Sequence, residues 1–371
     1  MEILNFLVPF IILLTIVVFV HEYGHYYFAK KFGVGITDFS IGFGKEIFGF
    51  NDKSGTRWKF CLIPLGGYVK FFGDRNVFSQ AEQKELLEKY SKEDQSKLFV
   101  TKPLYQRSLI VAAGPIANFI LAIFIFAFIY MFAGKDFTPA QINEVQKDGP
   151  AYTAGIKDGD LILKINDKKV SSLLDVSTYI NSSSTKDIKI TVLRNDAEID
   201  YIVIPKLIEA KDSLGNTINK KIIGIKISPP NNELQRERLG PATALFYAFK
   251  ETWFVITASS DFVISMFKGT GDTKQLGGPI KIAKITGQVA QYGFIAFLSI
   301  MAYISISLGF INLFPIPMLD GGHLMFYAFE KILGRPLTQK TQEGFFRIGL
   351  FLLLFLMLFT TVNDLKDLGL F

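Results

Sequence analysis

The chain has 371 residues, of which 49% are hydrophobic, 14% aromatic and 20% charged. So apolar a composition excludes an ordinary soluble protein, and so many charges exclude a bare bundle of membrane helices; together they describe a membrane protein carrying a soluble module. The net charge of +6 is dispersed among acids without a long basic block, which excludes a nucleic-acid partner, and the one cysteine, Cys61, excludes an intramolecular disulfide and a Cys-rich zinc site.

Ile3 to Phe28 reads as the first of four membrane segments. Ile3 to Val20 carries no formal charge. Glu2 stands where a secretion signal needs basic residues and no small-residue cleavage site follows, so a retained helix is expected. The run ends in His21-Glu22-Tyr23-Gly24-His25. Two imidazoles and a carboxylate are costly at membrane depth unless they serve a purpose. Positions i and i+4 share a helix face, so His21 and His25 can bind one Zn²⁺ while Glu22 points at a bound water. A bare His-Glu-x-x-His also arises by chance at solvated helix ends, and a catalytic zinc needs a third protein ligand. Glu46 lies on a strand-like segment and is a poor candidate.

From Ile36 to Phe72, β-prone residues (Phe39, Ile41, Phe43; Trp58, Phe60, Leu62; Tyr68, Val69, Phe71) are punctuated by Gly42, Gly44, Gly55, Gly66 and Gly67. Short strands and hairpins are expected over 36–72. Phe78 to Lys97 reads as a charged surface helix, with Ser79 as N-cap and Glu82 three residues on. Leu109 to Ala133 is the second membrane segment.

Residues 138–207 read as a compact α+β domain. Strands are expected at Gln141–Val145, Leu161–Ile165, Ile188–Leu193 and Tyr201–Ile204, with a helix near Leu174–Ile180. The stretch from Gly149-Pro150-Ala151 through Gly155 to Gly159-Asp160 resembles the PDZ fold of bacterial proteases. The connecting region 208–284 holds a strand at Ile222–Ile227. Within it, 240–268 is apolar but interrupted by Lys250, Glu251, Asp261 and Lys268, which predicts a pair of amphipathic helices on the membrane surface, with a fifth span as the alternative.

Residues 285–371 hold segments three and four. The third runs from about Gly293 to Phe314. The fourth, Ile348 to Val362, has 15 uncharged residues and must borrow Phe345, Phe346 and a snorkelling Arg347. Between them lies Asn312-Leu313-Phe314-Pro315-Ile316-Pro317-Met318-Leu319-Asp320-Gly321-Gly322-His323. Pro315 and Pro317 loosen the helix and free backbone groups, tolerable where something nearby satisfies them. Asp320 ends an uncharged run much as His21 does. It is either an interfacial cap or the missing third ligand; His323 reads as outside the ligand set. Lys30, Lys31, Lys102 and Arg107, and then Lys331, Arg335, Lys340 and Arg347, put the two short loops in the cytoplasm, with both termini and 134–290 outside.

The paired motifs His21-Glu22-Tyr23-Gly24-His25 and Leu319-Asp320-Gly321 resemble the site-2 protease family of intramembrane zinc metalloproteases, in particular its bacterial regulator of sigma-E protease type. Phe39–Gly44, Ile63–Lys70, Ala112–Asn118 and Asn312–Asp320 share the resemblance, in the right order along nearly the whole chain. It implies a polytopic α-helical protein of four transmembrane helices with a cytoplasmic-side β-hairpin region and one inserted PDZ domain: 1–133 with the first two segments, 138–207 as the PDZ domain, 208–284 connecting, and 285–371 with the last two. It implies His21, His25 and Asp320 as zinc ligands, Glu22 as general base, and Asn312, Pro315 and Pro317 as substrate-positioning residues. It further implies a bacterial inner-membrane location with the site towards the cytoplasm, and transmembrane substrates such as anti-sigma factors or remnant signal peptides. The strands around Ile63–Phe72 are expected to hold an unwound substrate by strand addition. Members of that type often carry two tandem PDZ domains, and one is expected here. Two other readings stay open: a membrane scaffold with a vestigial histidine motif, and a membrane-anchored metalloprotease acting on cytosolic substrates.

Overall fold

The computed structural model describes residues 2–73, 89–183, 185–211, 217–229, 233–269 and 276–367. The surface helix expected over Phe78–Lys97 lies mostly outside the described residues; its described end is a single turn, Lys92–Gln95, capped by the Ser91 side chain. The chain divides into two units, Met1–Ile125 with Gly278–Thr361, and Phe126–Gly277 with Val362–Phe371.

The first unit is built on α1 (Glu2–Lys31) and α2 (Leu104–Phe132), apolar throughout their middles. They cross where side chains are smallest. A Cβ on Gly24 would collide with the Ala113 carbonyl and touch Ala117, so this glycine sets how closely the helices approach. Four described helices are long and apolar enough to cross a membrane: Leu4–Lys31, Leu104–Phe132, Phe294–Asn312 and Gln339–Lys366.

Between α1 and α2 lie β1 (Ile36–Asn51) and β2 (Arg57–Phe71). The several short strands expected here are two long bent ones. Gly42 and Gly44 take φ of 89° and 87°, so they bend the strand without ending it. Asp38–Ile41 pairs with Gly67–Lys70 on one side and Arg57–Phe60 on the other, and Arg57–Phe60 pairs again with Phe48–Asn51. Phe39 sits at the centre, fully buried, stacked on Trp58 at 4.2 Å and edge-on to Tyr26 of α1. Asp52 pins the hairpin to α1: it accepts from the Tyr26 hydroxyl, the Trp58 indole and the backbone N–H groups of Ser54 and Thr56.

In the second unit, the first paired strands are β3 (Lys135–Asp136) and β4 (Ile142–Val145); the short α3 (Pro150–Ala154) follows. A four-stranded antiparallel sheet comes next, with β5 (Leu161–Ile165), β6 (Lys168–Lys169), β7 (Ile188–Arg194) and β8 (Ala197–Val203) in the order β6-β5-β7-β8. Ile162, Ile165, Ile188, Ile190, Val192 and Val203 form its core with Val176 and Ile180 of α4 (Leu173–Ser182). Ser172 and Asp175 form a capping box at the start of α4. β8 begins four residues before the expected Tyr201, because Asn195 and Asp196 both take positive φ and close a tight hairpin turn.

Two strands, β9 (Lys206–Lys211) and β10 (Thr217–Ile222), pair antiparallel, and β11 (Ile225–Ile227) pairs with β4. The expected strand Ile222–Ile227 is therefore broken, at Gly224 with φ 76°. β12 (Arg236–Glu237) pairs with β3. The pair of helices expected over 240–268 is one continuous helix, α5 (Pro241–Phe267). Its charges do not break it: Lys250 lies over the Phe246 ring, and Asp261 accepts from Lys168 at 3.0 Å.

Returning to the first unit, α6 (Pro279–Gln291) packs through Gly287 on Asn5 and Phe6 of α1. The third apolar helix, α7 (Phe294–Asn312), stops two residues before Phe314. The residue before a proline disfavours helical backbone, and Pro315 follows Phe314. α8 (Asp320–Leu333) and α9 (Gln339–Asp367) complete the chain. α9 starts well before the expected Ile348, because the Thr338 hydroxyl caps it at the Thr341 N–H and the polar residues that follow are good helix formers.

Candidate metal centre

One helical turn separates His21 and His25 on α1, and their Nε2 atoms lie 3.2 Å apart. Asp320 is the first residue of α8, and its Oδ2 lies 3.2 Å from His21 Nε2 and 3.6 Å from His25 Nε2. The three side chains are 9%, 12% and 18% exposed, so all are largely withdrawn from solvent. One ligand atom from each falls within 4.8 Å of the others.

The approach of Asp320 is fixed by its flanks. Met318 takes φ 90°, a region costly for a side-chain-bearing residue, and turns the chain into Leu319, the N-cap of α8. A Cβ on Gly321 would strike the carbonyls of Leu313 and Phe314, and one on Gly322 that of Ile316, so the loop 313–319 folds back onto the first turn of α8. Gly349 of α9 gives the same close seat to the Pro317 carbonyl. From the other side, Gly114 of α2 leaves room for the two imidazoles; a Cβ there would overlap the His25 ring and crowd His21.

The outer nitrogens of both rings also meet α2. His25 Nδ1 is 2.9 Å from the Ile110 carbonyl oxygen, and His21 Nδ1 is 3.1 Å from the amide of Asn118. Ile110, Gly114 and Asn118 stand four residues apart, on one face of α2. The sequence shows Gly114 and Asn118 only within Ala112–Asn118, a stretch sharing the family resemblance, and gives this face no role. Its one legible signal is Asn118, a polar residue inside an otherwise apolar span.

A cavity of about 370 Å³ opens on the cluster, lined by Glu22, Asn312 and His323 among others, and by Gly66 to Val69 of β2. Gly67 packs against the Glu22 and Val18 side chains, and the Val69 amide faces the Glu22 carboxylate. Asn312 is the last residue of α7. Pro315 and Pro317 do not line the cavity; they lie in the loop that carries Asp320. Glu46 binds Arg57 on the hairpin and is not part of the cluster.

The residues fit zinc. Two imidazole nitrogens and one carboxylate oxygen make a nitrogen and oxygen donor set of three, with a cavity alongside for water and substrate. The buried Asp320 Oδ2 sits close to both rings yet has no hydrogen-bond partner among the described residues, which suits a group that meets them through a shared cation.

Comparison with known proteins agrees. The model of peptidase family M50 matches residues 9–356. "Putative zinc metalloprotease Atu1380" of Agrobacterium fabrum is 42% identical over 364 residues, 98% of this chain and 96% of that one. "Metalloprotease MmpA" of Caulobacter vibrioides is 36% identical, covering 97% of this chain and 95% of its own. The crystal structure of the PDZ domain of the SdrC-like protein from Listeria monocytogenes is 24% identical over 24% of this chain and 88% of that one, with a TM-score of 0.20. The PDZ reading of 138–207 rests on the sequence of Gly149–Asp160, not on that likeness.

Proposed function

The chain belongs to peptidase family M50 and is a membrane zinc metalloprotease, and from that premise we propose that it hydrolyses peptide bonds inside the bilayer, within transmembrane segments of proteins already trimmed by another protease. The observation that carries this reading is the meeting of His21 and His25 with Asp320, residues from opposite ends of the chain, at the depth of apolar helices.

In this reading His21 Nε2, His25 Nε2 and the Asp320 carboxylate would hold the zinc. When bound, the ion supplies an acidified water and a polarised substrate carbonyl. Glu22, next to His21 and facing the cavity, takes the proton of the attacking water and delivers it to the departing amide nitrogen. Asn312 offers its amide N–H to the developing oxyanion. Pro315 and Pro317 act indirectly, by keeping 313–319 out of helix so that Asn312 ends α7 beside the cavity. A helical substrate shields its carbonyls and must unwind first, and the β2 stretch Gly67–Phe71 beside the same cavity suits capture of an extended segment by strand addition.

The resemblance to site-2 proteases suggests anti-sigma factors and remnant signal peptides as substrates. Residues 138–207 serve as a PDZ module that selects or filters them. The basic residues Lys30, Lys31, Lys102 and Arg107, and Lys331, Arg335, Lys340 and Arg347, support an orientation with the short loops and the metal cluster towards the cytoplasm of a bacterial inner membrane, and the PDZ module and both termini outside.

Metal analysis of detergent-purified protein beside Asp320→Ala tests the ligand set. About one zinc per chain is expected in the parent and a marked loss in the variant; equal zinc in both removes Asp320 from the set. Cleavage of a transmembrane reporter by Glu22→Gln is expected to fall by roughly 10²–10⁴-fold with zinc retained, and undiminished cleavage removes Glu22 as the base.

A further inference from the structure

The hydrogen bonds behind the two histidines are not equivalent. His25 Nδ1 faces the Ile110 carbonyl, which can only accept. Nδ1 therefore carries a proton, and as a ligand the ring keeps its lone pair on Nε2, the atom facing Asp320. His21 also turns Nε2 towards Asp320 and His25, so as a ligand it needs the same tautomer and an acceptor for Nδ1–H. The group opposite is the side-chain amide of Asn118, on a residue with no exposed surface.

As the amide stands, Nδ2 faces His21 Nδ1, and Oδ1 is buried without a hydrogen-bond partner among the described residues. That arrangement suits a ring whose Nδ1 accepts, which is the wrong tautomer for a ligand bound through Nε2. An amide turned over end for end has the same shape but exchanges oxygen for nitrogen. We propose that Asn118 is a positioning residue of the metal centre: in the loaded protein its Oδ1 accepts from His21 Nδ1–H and so holds Nε2 as the ligand atom. The inference rests on the ligand set given under Proposed function.

The rest of Asn118 is built to stay in place. Its backbone carbonyl accepts from the Ser305 hydroxyl at 2.9 Å, and Gly309 of α7 gives its Cβ a close seat. One residue of α2 thus joins α7 behind it to the metal ligand of α1 in front. Partners of this kind fix ring orientation and raise ligand basicity.

The competing role is a plain interhelical hydrogen bond, and two near-isosteric variants separate the two. Asn118→Asp can accept but not donate; Asn118→Leu can do neither. Zinc affinity is measured on full-length, detergent-purified protein by competition with a chelator, and apo-protein melting is followed alongside. The Asp variant is expected to bind zinc within a few-fold of the parent, and the Leu variant about 10–100-fold more weakly. Unchanged affinity in the Leu variant overturns the proposal, as does equal weakening in both. If the Leu variant does not fold, the Asp variant decides alone: retained affinity supports the proposal, and a tenfold loss overturns it. A parent that holds no more zinc than Asp320→Ala overturns instead the ligand set beneath it.

Discussion

Arg107 and Glu330 form a two-pronged ion pair, Nη1 to Oε2 at 3.1 Å and Nη2 to Oε1 at 2.5 Å, that ties the start of α2 to the helix begun by Asp320. The guanidinium also lies over the Tyr327 ring at 5.0 Å. Both partners are mostly shielded, at 15% and 18% exposure. The pair connects the helix behind the histidines to the helix that carries the carboxylate, and is expected to help hold the two halves of the cluster together. Glu330→Ala leaves Arg107 without its carboxylate and is expected to cost roughly 2 kcal/mol of stability, less than a fully buried pair because water reaches it. Thermal unfolding should show that loss, and chelator competition should show weaker zinc binding. Stability and affinity both equal to the parent would mean that the pair positions nothing.

Gly114→Ala adds one methyl group at the tightest point of the cluster. Alanine favours helix over glycine by up to about 1 kcal/mol, so α2 itself should be none the worse. The added Cβ has no room against the His25 and His21 rings, and the backbone of α2 is held by its own packing. Zinc content is therefore expected to fall at least about tenfold while the helix content measured by circular dichroism holds. Gly344 of α9 has open space around its Cβ position and is the control: Gly344→Ala should leave zinc untouched.

Met318 takes a left-handed backbone next to the residues that carry Asp320. Such a conformation costs a side-chain-bearing residue about 1–2 kcal/mol. Met318→Gly should keep or raise the melting temperature of the chelated protein, and Met318→Ile, branched at Cβ, should lower it. The reverse order would show that Met318 is not strained and that its side chain does the holding.

The uncharged runs and the i, i+4 histidines were legible because each is a local regularity: composition marks a span, and helical spacing marks a shared face. Asp320 was legible at a distance because a lone acid at the end of an apolar run is conspicuous. Asn118 was equally conspicuous in an apolar span, but the ring it faces is set by how α1 and α2 cross, and no spacing within α2 reports that. The two long strands were hidden for a different reason. Gly42 and Gly44 look like strand ends, yet at positive φ they bend a strand that continues. In α5 the charges at Lys250 and Asp261 suggested a break, while a neighbouring ring and Lys168 take them up without one.

In the second unit, Asp160 is 1% exposed and receives two hydrogen bonds from Arg194, Nε to Oδ1 at 2.6 Å and Nη2 to Oδ2 at 2.7 Å. Burial by itself would push this carboxyl up, but the Arg194 hydrogen bonds and the Lys157 N–H outweigh it and hold the group below its ordinary range. A carboxyl depressed in the folded state adds stability that is present above its unfolded value of about 3.9 and is lost as pH falls through the lower folded value. Protection of β5 and β7 amides in full-length protein, followed by hydrogen exchange and mass spectrometry, should therefore hold from pH 7 to about 5 and fall below about 4. Asp160→Asn leaves Arg194 without a charge partner, so protection should already be reduced at pH 7, by about 3 kcal/mol. Its further loss on acidification should be smaller than in the parent. An acid limb of the same steepness in the variant would assign the pH dependence to other carboxyls and reduce the Asp160–Arg194 pair to a matter of packing.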